Sequence, residues 1–389
     1  MTPLLSNGNP VAWWFAFKFN GATYSGDEKM EVSPGIFGGT PKDYKGGFSL
    51  TYAYASSAHA ALKLGPGYLG TSLSDPLGAT FNQIYNGNCN YILWNDQFDN
   101  DPMPAKSAPA GHSKGVLAWD HTGAGIVIQV TTPSWPGSGS KLHPRQTDGN
   151  TVGCINDDDV EFSQHFFALS LTEADVAAVL AGLVNASVVT MPGNRQIFNA
   201  GGPASLQAIA AKLGPVSAST SVLDQMLSSG VRLISKPSKL TAPPWQLVSA
   251  QLGGLPLRLA CWWAMPDEIN STNGTVKPAC WSAALGSPGA VQIATTGTWM
   301  GKSISLIGEP PDVMGLAYNH AKIGVSTLPA QPLCIFGDMN QQGSLNGTGV
   351  PGSCEVSQNG RGGMFFVMNN QTLWGSLTAL LAGNSVPVA

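Results

Sequence analysis

The chain has 389 residues, of which 43% are apolar and 11% charged, with 47 Gly and 28 Pro. That length exceeds one ordinary core and suits two domains or two similar lobes, while the composition excludes a disordered chain, a coiled coil and a helical array. Nineteen Lys and Arg against 23 Asp and Glu give a formal net charge of −4 with neutral imidazoles, the wrong sign for holding a polyanion by bulk electrostatics.

In chain order, the stretch from Met1 to Trp14 lacks a basic segment followed by a purely apolar run, and nowhere does an apolar run approach the roughly 20 residues a spanning helix needs. No membrane partner is expected. Alternating stretches at 48–54, 90–94, 116–119 and 126–130 predict strands. Asp75-Pro76 before Leu77, Phe81 and Ile84 opens a helix, with Asp as cap and Pro in the first turn. Thr172 with Asp175, before Val176, Val179, Leu180 and Leu183, marks a second capped helix. Further helices are expected near 203–213, 243–252 and 371–382. Between 186 and 225 the chain turns rich in Gly, Ala, Ser and Pro, and a strand-like run resumes at Val231. The expected organisation is therefore an N-terminal lobe over 1–205 and a C-terminal lobe over 206–389, each of mixed α/β or α+β character.

The six cysteines Cys89, Cys154, Cys261, Cys280, Cys334 and Cys354 form no CxxC pair, which argues against zinc and for an oxidising compartment. Local loops favour Cys261–Cys280 and Cys334–Cys354, leaving Cys89 with Cys154; free buried thiols are the other reading. Localisation stays open, with an extracytoplasmic or lysosome-like compartment favoured by this cysteine usage.

A repeat carries the functional signal. Gly-His-Ser-Lys-Gly-Val around His112 leads into a strand, a turn and a second strand ending near Gln129 to Thr132; Asn-His-Ala-Lys-Ile-Gly-Val around His320 leads into the same succession, ending at Asp338 to Asn340. Such matched units are the mark of a duplication. In extended chain, side chains at i and i+2 share a face, so His112 with Lys114, and His320 with Lys322, can address one site. Phosphodiester cleavage needs a nucleophile, an acid for the leaving oxygen and positive charge on the non-bridging oxygens, and two His with two Lys supply all three without a metal or other cofactor. Asp338 and Asn340 are placed to orient an imidazole or hold a phosphoryl oxygen.

These residues resemble the deoxyribonuclease II family, whose fold is similar to that of the phospholipase D superfamily. The resemblance rests on Val11 to Lys18, Asn95-Asp96-Gln97, Gly111 to Leu117, His320-Ala-Lys322, Gly337-Asp-Met-Asn340 and Arg361-Gly-Gly363. It implies a pseudo-dimer of two lobes, each a mixed sheet flanked by helices, acting as a metal-independent acid endonuclease. Such an enzyme passes through a phosphohistidine and leaves 3′-phosphate and 5′-hydroxyl ends on single- or double-stranded DNA, as a monomer or homodimer. Carried over by motif, His112, Lys114, His320 and Lys322 are catalytic, Asp338 and Asn340 support them, and Asn95 and Asp96 line the cleft. Animal members have a further His where this chain has Gln129, which is carried as a substrate contact together with Lys236 and Lys239. His112 as nucleophile and His320 as acid follows related phosphodiesterases by analogy, and the reverse assignment stays open. Disulfide pairing is not transferable, because Cys354 lies in an apparent insertion.

The remaining imidazoles, His59, His121, His143 and His165, read as structural or solvated. Trp13-Trp14 and Trp262-Trp263 read as core before base stacking, and Trp119 and Trp135 as structural. The competing functions are a phospholipase D-like lipid phosphodiesterase, for which no basic amphipathic helix is evident, and a non-catalytic DNA-binding relative, to which the two intact His-x-Lys pairs lend no support.

Overall fold

The structure, a computed structural model, describes residues 1–24, 31–32, 42–43, 49–97, 108–133, 135–136, 161–190, 198–264, 267–274, 279–308, 318–347 and 353–388. Along the first half run β1 (Trp13–Lys18), β2 (Glu31–Val32), β3 (Lys42–Asp43), β4 (Tyr52–Ser56), β5 (His59–Leu64), α1 (Pro76–Tyr85), β6 (Asn90–Asn95), β7 (Lys114–Trp119), β8 (Gly125–Val130), β9 (Gln164–Leu171), α2 (Glu173–Asn185) and β10 (Phe198–Asn199). All of these strands but β2 and β3, which pair with each other, join one antiparallel sheet in the order β10-β6-β7-β8-β9-β1-β4-β5.

The second half begins with α3 (Ala204–Ala210), β11 (Leu223–Met226), β12 (Arg232–Lys236), α4 (Pro244–Gln251), β13 (Leu257–Ala260) and β14 (Val291–Ile293). It continues with β15 (Thr296–Trp299), β16 (Lys302–Ser305), β17 (Ile323–Ser326), β18 (Leu333–Gly337), β19 (Gly363–Asn369) and α5 (Gln371–Leu380). Its main sheet runs β11-β12-β19-β18-β17-β13-β14, with only β13 and β14 parallel, and β15 and β16 form a separate ribbon. The fold is thus mixed α and β, as expected.

The two sheets repeat one plan. In the first, α1 precedes β6, the strands lie in the order β6-β7-β8-β9-β1, and α2 follows β9; in the second, α4 precedes β13, the order is β13-β17-β18-β19-β12, and α5 follows β19. The register agrees in detail. Thr131 N–H donates to His165 O at 3.2 Å, and Asp338 N–H donates to Met364 O at 3.0 Å, so Thr131 and Asp338 hold equivalent places at the ends of β8 and β18. The sheets part company between Asn199 and Leu223; the position 205/206 falls inside α3, which packs on α2.

The halves are joined through a shared core. Phe15, Phe17, Val127, Phe167 and Leu169 of the first sheet meet Ile323, Val325, Phe336 and Phe366 of the second, with Phe336 stacked on Phe15 at 4.8 Å and on Phe167 at 4.5 Å between centroids. Helices α2 and α5 enter the same core through Val176, Val179, Leu180 and Leu183, and through Leu373, Leu377 and Leu380. Each buried aromatic or aliphatic side chain contributes roughly 1.5–3 kcal/mol. Outside, α1 seals the far face of the first sheet with Leu77, Phe81 and Ile84, and α4 seals the far face of the second with Trp245, Leu247 and Val248. Because both faces of each sheet are covered, β1 reads Trp-Trp-Phe-Ala-Phe-Lys instead of alternating with polar residues.

The caps behave as their residue types dictate. Asp75 accepts from Gly78 N–H at 2.8 Å and also from the amides of Gly70, Thr71 and Ser72, while Thr172 and Asp175 form a reciprocal capping box. The expected cysteine pairing is corrected. Cys280 bonds Cys354, 5.2 Å apart at Cα, whereas Cys261 and Cys334 are buried free thiols and Cys89 is also free; Cys154 lies outside the described residues. Cys334 is fixed within β18, and Cys261 at the end of β13 accepts from Gln341 N–H. Sheet positions hold both away from their neighbours in sequence, and two loops bring Cys280 and Cys354 together beside Gly347. Among the described residues no helix is long and apolar enough to cross a membrane.

Candidate active site

Each His-x-Lys motif leads into a strand of its own sheet and is pinned to the opposite half. His112, ahead of β7, donates its N–H to Gly362 O at 2.8 Å, just before β19; His320, ahead of β17, donates its N–H to Ser163 O at 2.7 Å, just before β9. The pseudo-symmetry therefore places two half-buried imidazoles at the junction of the sheets. They are also electrically aware of each other. Lys322 contributes to lowering the pKa of His112, and Lys114 and His112 contribute to lowering that of His320.

Around His112 the hydrogen bonds are dense. Its Nδ1 donates to Asp338 O at 2.7 Å. The Asp338 carboxyl accepts from Ser113 Oγ at 2.5 Å, Met364 N–H at 2.9 Å and Gln129 Nε2 at 3.0 Å. Burial outweighs these three donors and pushes its pKa up to about 7. Lys114 Nζ meets Asp96 Oδ1 at 2.5 Å, and Arg361 holds the other oxygen of Asp96 at 2.8 Å while also donating to the carbonyls of Ala110 and Gly111. Burial raises the Asp96 carboxyl, but the two cations prevail and hold it well below the usual carboxylate range.

Around His320 the partners are different. Its Nδ1 faces Gln164 Nε2 at 3.5 Å, and its ring lies edge to face with Trp262 at 4.4 Å and with Phe162 at 5.2 Å. Lys322 Nζ donates to His320 O at 2.5 Å, and Lys322 N–H donates to His165 Nδ1 at 3.1 Å. Burial and then the lysines depress His112 and His320 well below the ordinary imidazole value. Burial, followed by Lys114, brings Lys322 down to about 7. The centre thus holds two desolvated imidazoles in the field of lysine ammonium groups, an environment that favours an anion.

The predicted residues divide into three groups. His112, Gln129 and Asp338 form one hydrogen-bonded group, Lys114 and Asp96 form a second with Arg361, and His320 with Lys322 lies within their field. Asn340 sits two residues beyond Asp338 with its Nδ2 on Gln342 and its Oδ1 buried without a partner among the described residues. Asn95 is turned away, its Nδ2 bracing the carbonyls of Thr132 and Trp135. Lys236 is fully buried, its ammonium on the carbonyls of Pro237, Asn359 and Arg361, with burial lowering it to about 7. Lys239 is exposed beside a shallow cleft lined by Pro109, Thr241 and Glu355. His143 lies outside the described residues. Sequence reasoning gave no role to Arg361, Gln164, Thr131 or Ser113. Superposing the two His-x-Lys units would have drawn attention to Thr131, which stands where the other half has Asp338. Among the described residues no group of three or more His, Cys, Asp or Glu is gathered to hold a metal ion.

Comparison with known proteins gives the chain's relatives. Residues 3–272 match the family profile described as deoxyribonuclease II. Over 158 residues, 39% of each chain, the protein is 28% identical to deoxyribonuclease-2-alpha of Mus musculus, and over 166 residues, 41% of each, it is 28% identical to deoxyribonuclease-2-alpha of Rattus norvegicus. The matched stretches thus span about two fifths of those relatives. A longer alignment, 22% identical over 313 residues, covers 78% of this chain and 72% of cell-death-related nuclease 7 of Caenorhabditis elegans.

Proposed function

The chain belongs to the deoxyribonuclease II family, and from that premise we propose that it hydrolyses DNA phosphodiester bonds as a metal-independent acid endonuclease, in a phospholipase D-like pseudo-dimer of the two lobes 1–205 and 206–389. The observation that carries the reading is the reciprocal anchoring of two His-x-Lys pairs, one from each sheet, into one desolvated cation-rich centre.

In this mechanism His112 is the nucleophile. Its Nδ1–H is committed to Asp338 O, which leaves the Nε2 lone pair free to attack phosphorus. The P–N bond forms as the P–O5′ bond breaks, and protonated His320 gives its Nε2 proton to the departing oxygen. The result is a 3′-phosphohistidine and a 5′-hydroxyl. His320, left with its Nδ1 proton and a bare Nε2, then takes a proton from water at Nε2, while the water oxygen attacks phosphorus and breaks the P–N bond, releasing a 3′-phosphate and free His112. Lys114 and Lys322 neutralise charge on the non-bridging oxygens as phosphorus becomes five-coordinate, and Asp96 and Arg361 fix Lys114 for that purpose. The cycle needs one imidazole charged and the other neutral. Since both are depressed, that population peaks in acid.

The test is supercoiled-plasmid nicking at pH about 5 in excess chelator. Wild type should cut, while His112→Ala and His320→Ala should each lose at least about a thousandfold in rate; abolition of wild-type cutting by the chelator would overturn the metal-free reading. Lys114→Met should lower kcat by about a hundredfold with little change in KM, because its charge matters most in the transition state. A rise in KM as large as the fall in kcat would assign it to ground-state binding.

A further inference from the structure

The two catalytic imidazoles stand at equivalent places in the two halves but meet opposite hydrogen-bonding groups. His112 Nδ1 faces a backbone carbonyl, which only accepts. His320 Nδ1 faces the side-chain amide of Gln164, whose orientation is set from behind. His165 N–H donates to Thr131 Oγ1 at 2.9 Å, and the Thr131 hydroxyl donates to Gln164 Oε1 at 2.8 Å. With its oxygen so occupied, the amide presents its NH2 to His320. A donor there leaves the lone pair on Nδ1 and the single proton of the neutral ring on Nε2. Gln164 and Thr131 are both buried, so water does not blur the choice.

We propose that Gln164, held by Thr131, is a positioning residue that fixes the proton of resting, neutral His320 on Nε2, must reverse its amide when that ring takes a second proton, and stays reversed through the catalytic cycle. In the resting state His320 then offers no lone pair to phosphorus from Nε2, and His112 alone is able to attack. When His320 is charged, Nδ1–H needs an acceptor, and the reversed amide supplies Oε1. Thr131 accommodates the reversal. Its oxygen accepts from Gln164 Nε2, and its hydroxyl turns to His165 O, which lies 3.4 Å away. No proton leaves this chain of groups during the reversal.

The other groups facing His320 act in the same direction or weakly against it. Burial first, then Lys322 on its own segment, Lys114 at the start of β7 and His112 just ahead of it disfavour its charge, while Asp96 beyond β6 favours it; Phe162 and Trp262 supply uncharged rings. Reversal of the amide adds to the cost of protonation and so ties proton donation to acid solution. This inference deepens the proposed nuclease mechanism and rests on it for its catalytic meaning, though the tautomer itself does not.

Long-range proton–nitrogen correlation NMR reads the tautomer of each imidazole without substrate, and His320→Asn identifies the His320 signals. In the wild type above its titration, His320 should carry its proton on Nε2 and His112 on Nδ1; a His320 proton on Nδ1 would overturn the proposal. Gln164→Glu replaces the donor with a permanent acceptor. It should move the His320 proton to Nδ1, raise its titration by about one pH unit or more, and shift the alkaline limb of kcat/KM upward with it, so that activity at pH 7 relative to the maximum rises about tenfold. An unmoved titration in the folded variant refutes the idea. Should that variant not fold, Thr131→Val, which frees the amide to turn, should also raise the titration, and no change there counts against the proposal. Failure of the wild type to nick DNA would defeat the nuclease reading while leaving the NMR result to decide the tautomer.

Discussion

Asp338 illustrates how one side chain couples the site to the pH of its surroundings. Its carboxyl, buried and pushed up to about 7, lies above the unfolded value near 3.9. A raised acid binds its proton more tightly in the folded state. The stability it contributes is therefore complete below the unfolded value and is lost as pH rises through about 7. Asp338→Asn removes this dependence. Between pH 5 and pH 8 its urea stability should improve relative to wild type by about 2 kcal/mol, measured as the difference in unfolding free energy at the two pH values. A constant difference would mean that Ser113, Met364 and Gln129 keep the group ionised throughout. The positions of His112, Lys114, His320 and Lys322 were legible because the two-residue spacing in extended chain is local physics. The parts played by Gln164 and Arg361 were not, since each depends on a partner 156 or 265 residues away.

Element α2 shows how a local signal acquires a global task. Thr172 and Asp175 close the capping box that the sequence announces, but Asp175 also accepts from the N–H and hydroxyl of Ser228 in the turn between β11 and β12. One carboxylate thus caps a helix and ties it to the opposite sheet. Burial raises its pKa, but the hydrogen bonds from Ser228 and Thr172 together outweigh it and hold the carboxylate below its ordinary value. Thr172→Ala should cost about 1 kcal/mol, the usual worth of a cap, whereas Asp175→Ala should cost about 2 kcal/mol because the donors of Ser228 lose their partner as well. Equal losses in urea titrations would show that the tie to Ser228 adds nothing. The five α-helices among the described residues were legible near their observed limits, α1 and α2 from their caps as well. The strand expected at 48–54 is observed at Tyr52–Ser56, because burial on both faces removes the alternation that marks a boundary. The Cys280–Cys354 bond was not legible, because its 74-residue separation is closed by loop positions that only the folded sheets define.

At the scale of the whole molecule, two sheets of one plan bring a cation-rich centre together inside a chain that carries a net charge of −4. Lys114 and Lys322 supply the ammonium groups there, and Lys236, which from sequence alone was a substrate contact, is consumed by backbone carbonyls. On the proposed function, affinity for DNA would rest on few released counterions. With about two phosphates neutralised, the expected slope of log affinity against log salt is about −2, so raising salt from roughly 50 to 200 mM should weaken kcat/KM by about tenfold, in contrast to the 10³ to 10⁵ of proteins with six to ten contacts. The measurement is kcat/KM on duplex DNA at fixed acid pH across that range. A loss of about a thousandfold would require an extended basic track along the duplex, and the local reading of this cleft would then be wrong. A shallow slope follows if the enzyme grips the scissile linkage itself, because charges buried beside the reacting phosphorus are screened far less than those on an open surface.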